Sequence, residues 1–127
     1  MALRLYHDDQ AQNEITQANP DEVHVAVPVG EDLDDQEQIY LASDDATLTY
    51  ESIEITAVED NGNDVDVEYA FDDNGSPDLP WQETIEPTDG DYETPVPIWR
   101  RVFKENVQEA FQRTDIDHQV TADEFVQ

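Results

Sequence analysis

Alternation with a period of two dominates the hydrophobic pattern of this chain, and that is the signature of half-buried β-strands. Leu3 and Leu5 alternate with Arg4 and Tyr6 in a short first strand. The polar run from Asp8 closes at Asn19-Pro20, a turn signal. Val23, Val25, Val27 and Val29 then share one face, with His24, Ala26 and Pro28 on the other. Pro28 lacks a ladder donor, so this strand ends there or lies at an edge. Gly30 to Gln36 reads as a loop, Ile39 and Leu41 mark a third strand, and Leu48 with Tyr50 a fourth short piece. Ile53, Ile55 and Ala57 follow with the opposite parity, which predicts a bulge or break near Ser52.

The clearest unit is a hairpin. Ile53 to Glu59 and Asp64 to Phe71 flank Asp60-Asn61-Gly62-Asn63, which has Asn-Gly turn chemistry. Its second strand turns Val65, Val67, Tyr69 and Phe71 inward and Asp64, Asp66 and Glu68 to water. Asp72 to Pro80 reads as a second turn-rich loop, Trp81 to Glu86 as a short strand, and Pro87 to Pro97 as a long acidic connection. Ile98 to Lys104 and Ile116 to Ala122 are the last strands. Between them Val107, Ala110 and Phe111 fall at helical spacing, and Asn106 with Glu109 resembles a capping box. These residues predict one short helix or helical turn near 106–113. About seven short strands, with turn signals at roughly 8–12-residue spacing, predict an all-β fold: an antiparallel β-sandwich, immunoglobulin-like in the broad sense. The 127 residues form a single domain, 1–127, on this reading.

Charge changes the picture. The chain holds 33 acidic residues against 5 Lys and Arg, a formal net charge of −28. Low hydrophobicity with such a charge ordinarily means disorder. The 2 Trp, 5 Tyr and 4 Phe, together with the alternating runs, argue for a fold instead. Between Arg4 and Arg100 lie 27 acids and no Lys or Arg, and the acids are spread through strands and loops alike. Self-repulsion on this scale destabilises a compact state unless salt screens it. The Debye length falls from about 10 Å at 0.1 M to about 3 Å at 1 M. The composition therefore reads as an adaptation to multimolar salt, ahead of a nucleic-acid mimic, a calcium-loaded module or an ordinary acidic protein. Free nucleic acid is excluded as an expected partner, because phosphates need a basic face. There is no Cys, which removes disulfides and thiolate chemistry together. No apolar run approaches the ~20 residues of a membrane span, and the N-terminus lacks a long apolar signal segment, so neither a membrane nor a secretory leader is expected.

Candidate chemistry is sparse. Gly30, Gly62, Gly75 and Gly90 are too scattered to cradle phosphates, and Ser43, Ser52 and Ser76 lack a nucleophile-elbow context. His7, His24 and His118 lie far apart and read as surface or strand-face residues. No enzyme and no cofactor are expected. The acidic turns offer weak calcium candidates at Asp60, Asp64, Asp72, Asp73 and Asp78, without the spacing of a known calcium loop. Bound cations (Na, K or Ca) at acidic loops are the most such turns imply. Trp99 reads as a core residue in preference to an interface residue. Arg100 and Arg101 point to opposite faces of one strand, so only one can join the core-facing row. Arg100, Arg101, Lys104 and Arg113 form the one basic cluster and are the interface candidates.

The segment Pro97-Ile98-Trp99-Arg100-Arg101-Val102, followed by Thr114-Asp115-Ile116, resembles the ending of small structural proteins of tailed viruses. Asn19-Pro20 and the run Gln38-Ile39-Tyr40-Leu41-Ala42-Ser43-Asp44-Asp45-Ala46-Thr47 fit the same pattern. Arg100 stands where those proteins usually carry an apolar residue, and Lys104-Glu105-Asn106-Val107 departs from their short Pro/Gly loop. The resemblance implies a β-sandwich component of the particle: a tail, baseplate, neck or capsid-decoration subunit. With the acidity, it implies a virus of a halophilic archaeon, the protein being made in the host cytoplasm and carried in the virion. Its expected partners are other virion proteins and further copies of itself in a symmetric assembly. The alternative is a module recognising host-surface glycan or S-layer, in which exposed aromatics such as Tyr92 or Trp81 would reach the ligand.

The charge of −28 sets a first prediction. The domain is expected to be folded in multimolar KCl or NaCl and to lose structure as salt is lowered. Circular dichroism across a salt titration checks this; a cooperative fold unchanged at low salt without divalent ions would remove the halophilic reading.

Overall fold

Alternating side chains put one face of each strand against a neighbour, and the strands of this chain satisfy that requirement by layering. A computed structural model describes residues 1–23, 26–58, 65–108 and 114–127. Ten strands occur among them: β1 (Leu3–Tyr6), β2 (Asp21–Val23), β3 (Leu33–Ser43), β4 (Leu48–Ala57), β5 (Asp66–Asp73), β6 (Ser76–Gln82), β7 (Thr84–Ile85), β8 (Val96–Lys104), β9 (Thr114–Ile116) and β10 (His118–Val126). They form a five-stranded sheet ordered β1-β3-β8-β5-β6, a three-stranded sheet ordered β10-β4-β7, and the pair β2-β9. Every pairing is antiparallel, and the fold is an all-β sandwich.

One core fills the space between the layers. Leu3, Leu5, Ile39, Leu41, Val67, Ile98 and Val102 from the larger sheet meet Tyr50, Ile53, Ile55 and Ile85 from the smaller one, with Val23 and Ile116 from the short pair. The alternation of each strand selects these residues.

The parity change near Ser52 is a bulge. Ser52 sits at φ 53°, and the β4–β10 register steps from Glu54↔Thr121 to Glu51↔Asp123, so β4 carries one residue more than its partner. Glu51 and Ser52 are consequently exposed in succession, and both Tyr50 and Ile53 face the core.

Several expectations need correction. β3 begins at Leu33, whose buried side chain recruits most of the expected Gly30–Gln36 loop into the sheet. The four-valine strand is replaced by a three-residue strand that starts at Asp21; Val23 is buried, Val29 is 61% exposed, and residues 24–25 lie outside the described residues. Asp72 to Pro80 is not a loop. Asn74 (φ 53°) and Gly75 (φ 88°) make a two-residue turn of the left-handed kind that matches strand twist, and β5 and β6 pair on either side of it. The Asn61-Gly62 turn lies outside the described residues. Among the described residues there is no helix: residues 105–108 are irregular, and 109–113 lie outside them. Val107 supplies a reason, since its N–H donates to the Glu31 carbonyl and its carbonyl accepts from Gly30 N–H, which ties the segment across to another loop.

The facing of β5 yields the second prediction. Val67 is buried against the core and Asp66 is exposed. Val67→Asp is expected to cost several kcal/mol, a large part of the stability of a small domain, because it buries an unpaired carboxylate. Asp66→Val is expected to be tolerated. Thermal melts of the two variants in high salt separate them.

Candidate functional site: a buried polar cluster

Strand parity puts Ile98, Arg100 and Val102 of β8 in the inward row, so a guanidinium enters the apolar layer. Pairing places Glu37 of β3 opposite Arg100 on one side and Tyr69 of β5 on the other. Asp35 lies two residues before Glu37, in the same row. Asp21 enters from β2, where it stands opposite Ile116 of β9, and His118 opens β10 just beyond.

The guanidinium meets its partners in full. Arg100 Nε donates to Asp21 Oδ2 at 2.8 Å and Nη2 donates to Asp21 Oδ1 at 2.6 Å, a two-point fork. Nη1 donates to Asp35 Oδ2 at 2.6 Å and to the Asp35 carbonyl at 3.3 Å, and Nη2 also reaches Glu37 Oε2 at 2.6 Å. His118 Nε2 lies 2.6 Å from Asp21 Oδ2, and its Nδ1 lies 2.5 Å from the Tyr69 hydroxyl. The Tyr69 and His118 rings meet edge to face, 5.5 Å between centroids. Arg100 and Asp21 are both 0% exposed.

Burial alone would push Asp21 upward, but the hydrogen bonds from His118 and Arg100 outweigh it and hold this carboxyl at about 2. Burial drives the Tyr69 hydroxyl far above the ordinary phenol range, so it keeps its proton. Burial also raises Glu37, against the opposing pull of Arg100. For Arg100 desolvation works against the charge, yet the bonds to Asp21 more than restore it. The imidazole is held between these two groups, Nε2 against the Asp21 carboxylate and Nδ1 against the Tyr69 hydroxyl.

Both imidazole nitrogens, the Tyr69 hydroxyl and the whole guanidinium are thereby engaged with other residues of the chain. The cluster binds β2, β3, β5, β8 and β10 into one unit and so joins the two main layers with the short pair. A cleft of about 470 Å³ opens beside it between β1 and β10; Leu3, Leu5, Ile15, Val120 and His118 contribute to its wall.

The sequence candidates disperse. Arg100, expected among the cations reaching a neighbouring subunit, is enclosed in its own chain because β8 parity turns it inward. Arg101 faces outward, 3.0 and 3.2 Å from the two oxygens of Asp34, with its guanidinium 4.3 Å from the Phe103 ring centroid and 5.8 Å from that of Trp81. Lys104 is half-buried opposite Leu33, and Arg113 lies outside the described residues. Trp99 is not core: it shares the outer face with Arg101 and donates Nε1–H to Asp72 Oδ1 at 3.0 Å. His118 lies on a strand, as expected, with its ring turned inward to the cluster. His7 is half-buried with Nε2 3.1 Å from the Asn19 carbonyl, and His24 lies outside the described residues.

Of the calcium candidates, Asp60 and Asp64 lie outside the described residues. Asp72 Oδ1 accepts from Gln38, Trp99 and Gly75, while Asp73 and Asp78 are spaced along the β5–β6 hairpin. Among the described residues no group of three or more His, Asp or Glu is arranged to hold a metal ion. Tyr92 is buried with its hydroxyl donating to the Thr88 carbonyl, and Trp81 is half-buried beside Arg101.

Sequence reasoning missed Asp21, Asp35, Glu37 and Tyr69 as members of a site. A signal existed: Asp35 and Glu37 are in phase with the buried Leu33, Ile39 and Leu41, where carboxylates require a cation. The sequence matches no protein-family model, no curated protein and no solved structure.

Two predictions follow from the geometry. Arg100→Met leaves Asp21 buried without its main cation and is expected to cost about 3–5 kcal/mol. Arg101→Ala breaks a part-exposed pair and is expected to cost under about 1 kcal/mol. Melting both variants in the same high-salt buffer tests the contrast. Asp21 titrates at about 2 when folded, against 3.8 for the free group. Its stabilisation is therefore complete above the free value and is lost as pH falls toward the folded one. An acid titration should show that loss in the wild type, and Asp21→Asn, less stable at neutral pH, should lack this component.

Proposed function

We propose that the chain is a non-enzymatic structural subunit of a tailed virus particle, built to work in concentrated salt. The observation that carries this reading is where the segments of resemblance lie in the fold. Gln38 and Tyr40 of β3 stand opposite Trp99 and Pro97 of β8, and Thr114-Asp115-Ile116 forms β9 beside the strand that follows Asn19-Pro20. Short motifs distant in sequence thus pair as neighbours on the strands that hold the buried cluster. The chemistry is in keeping with a scaffold, because the polar groups of the cluster join strands and the carboxylates dominate the remainder of the chain.

Recognition of host glycan is favoured less, since Tyr92 is buried and Trp81 packs beside Arg101. The role is tested by purifying intact particles from high-salt cultures that express the chain, then measuring its copy number by peptide mass spectrometry and locating it with a specific antibody. Many copies per particle, at a symmetric position, are expected. Recovery of the chain only in the particle-free fraction would overturn the reading.

A further inference from the structure

A sandwich ends in sheet edges, and each edge must be covered, blunted or paired. The edges of the larger sheet are β1 and β6, and those of the three-stranded sheet are β7 and β10. β1 is partly covered, because Ile15 N–H donates to the Leu5 carbonyl and His7 N–H to the Asn13 carbonyl. β6 carries Pro77 and Pro80, and β7 has two residues. β10 differs from all of them: it runs nine residues, and the bulge in its pairing belongs to β4.

The outward-facing groups of β10 can be assigned. Val58 N–H donates to the Asp117 carbonyl and Gln127 N–H to the Thr47 carbonyl, so odd-numbered residues address β4. His118, Val120, Ala122, Glu124 and Val126 therefore turn their backbone groups to the side of β10 on which no strand among the described residues pairs. The run His118-Gln119-Val120-Thr121-Ala122 holds no carboxylate, in a chain where 33 of 127 residues are acidic. Val120 and Ala122 are only half-buried, while Phe125 is 47% and Val126 82% exposed.

We propose that β10 pairs with β10 of a second copy, antiparallel, about a two-fold axis at Thr121. Avoidance of like charge favours an occupant whose own edge is free of carboxylates, which a second β10 supplies through His118 to Ala122. A partner carrying −28 can approach only where carboxylates do not face each other. With the axis at Thr121, this residue meets its own counterpart, Val120 pairs with the partner's Ala122, and Gln119 with the partner's Asp123. His118 meets the partner's Glu124 and Asp117 meets the partner's Phe125, so no carboxylate opposes another. An axis at Val120 would set Asp117 against the partner's Asp123. One at Ala122 also keeps carboxylates apart but sets the apolar Val120 against the partner's Glu124 and forgoes the Thr121 pair. Thr–Thr pairs across antiparallel strands are favourable. The inference is independent of the particle reading, since it concerns the isolated protein.

The test uses the full chain in multimolar KCl, with mass measured by light scattering and sedimentation over a range of concentrations. A dimer is expected. Thr121→Asp puts two carboxylates on the axis and is expected to give a monomer with an unchanged melt. Thr121→Cys supplies a second arm that does not depend on that variant. A non-hydrogen-bonded antiparallel pair has Cα atoms about 4.5 Å apart, within disulfide range. The chain has no other Cys, so oxidation should give one interchain disulfide, whereas Gln119→Cys should not cross-link. A monomer at every concentration, a dimer that survives Thr121→Asp, or a dimer in which Thr121→Cys fails to cross-link would each overturn the proposal.

Discussion

The structure depends on one buried ion pair, the two-point fork between Arg100 and Asp21. A fully buried guanidinium with no carboxylate would be intolerable, and so would the reverse. Asp21 sits on a three-residue strand that pairs with β9, and this fork ties that strand to β8. His118 then locks onto the same carboxylate and brings in the start of β10, while Tyr69 completes the imidazole. Asp35 and Glu37 neutralise the open side of the guanidinium from the adjacent strand. A core that could have been closed with apolar side chains is closed instead by a network that fixes which strands meet.

The scarcity of cations makes their placement informative. Arg4 joins β1 to Glu14 and Asp44, Arg100 joins β8 to β2 and β3, and Arg101 joins β8 to Asp34 and Glu68. Each arginine among the described residues bridges segments separated along the chain. Salt treats these bridges unequally, because exposed pairs are screened and buried ones much less so. Added salt that relieves repulsion between surface carboxylates would therefore weaken the Arg4 and Arg101 pairs and leave the Arg100 cluster nearly untouched.

Local features were legible in the sequence where local rules decide them. The bulge at Ser52 shows as a change of parity between Tyr50 and Ile53, and the opposite facing of Arg100 and Arg101 follows from strand geometry alone. Asn74-Gly75 carried the same turn chemistry as Asn61-Gly62, but Pro77 and Pro80 masked β6, whose edge position lets prolines stand in a strand. The buried cluster was out of reach for another reason. His118 meets Asp21 across 97 residues and Tyr69 across 49, and no spacing rule connects residues that only the topology brings together. Trp99 shows the complementary error, since a large aromatic ring was assigned to the core although it shares the parity of Arg101.

The prolines of β6 have a consequence for growth of the larger sheet. A sheet open at both edges can add strands without limit, which is the route to fibres. Pro77, opposite Asp72 and one residue past the Asp73–Ser76 pair, lacks an N–H that an incoming strand would need, and the backbone of residues 13–15 already occupies much of the far edge at β1. That sheet is capped at both ends. Any lateral growth is left to the smaller sheet, where a two-fold contact at one edge closes on itself and leaves no repeating site for a third copy.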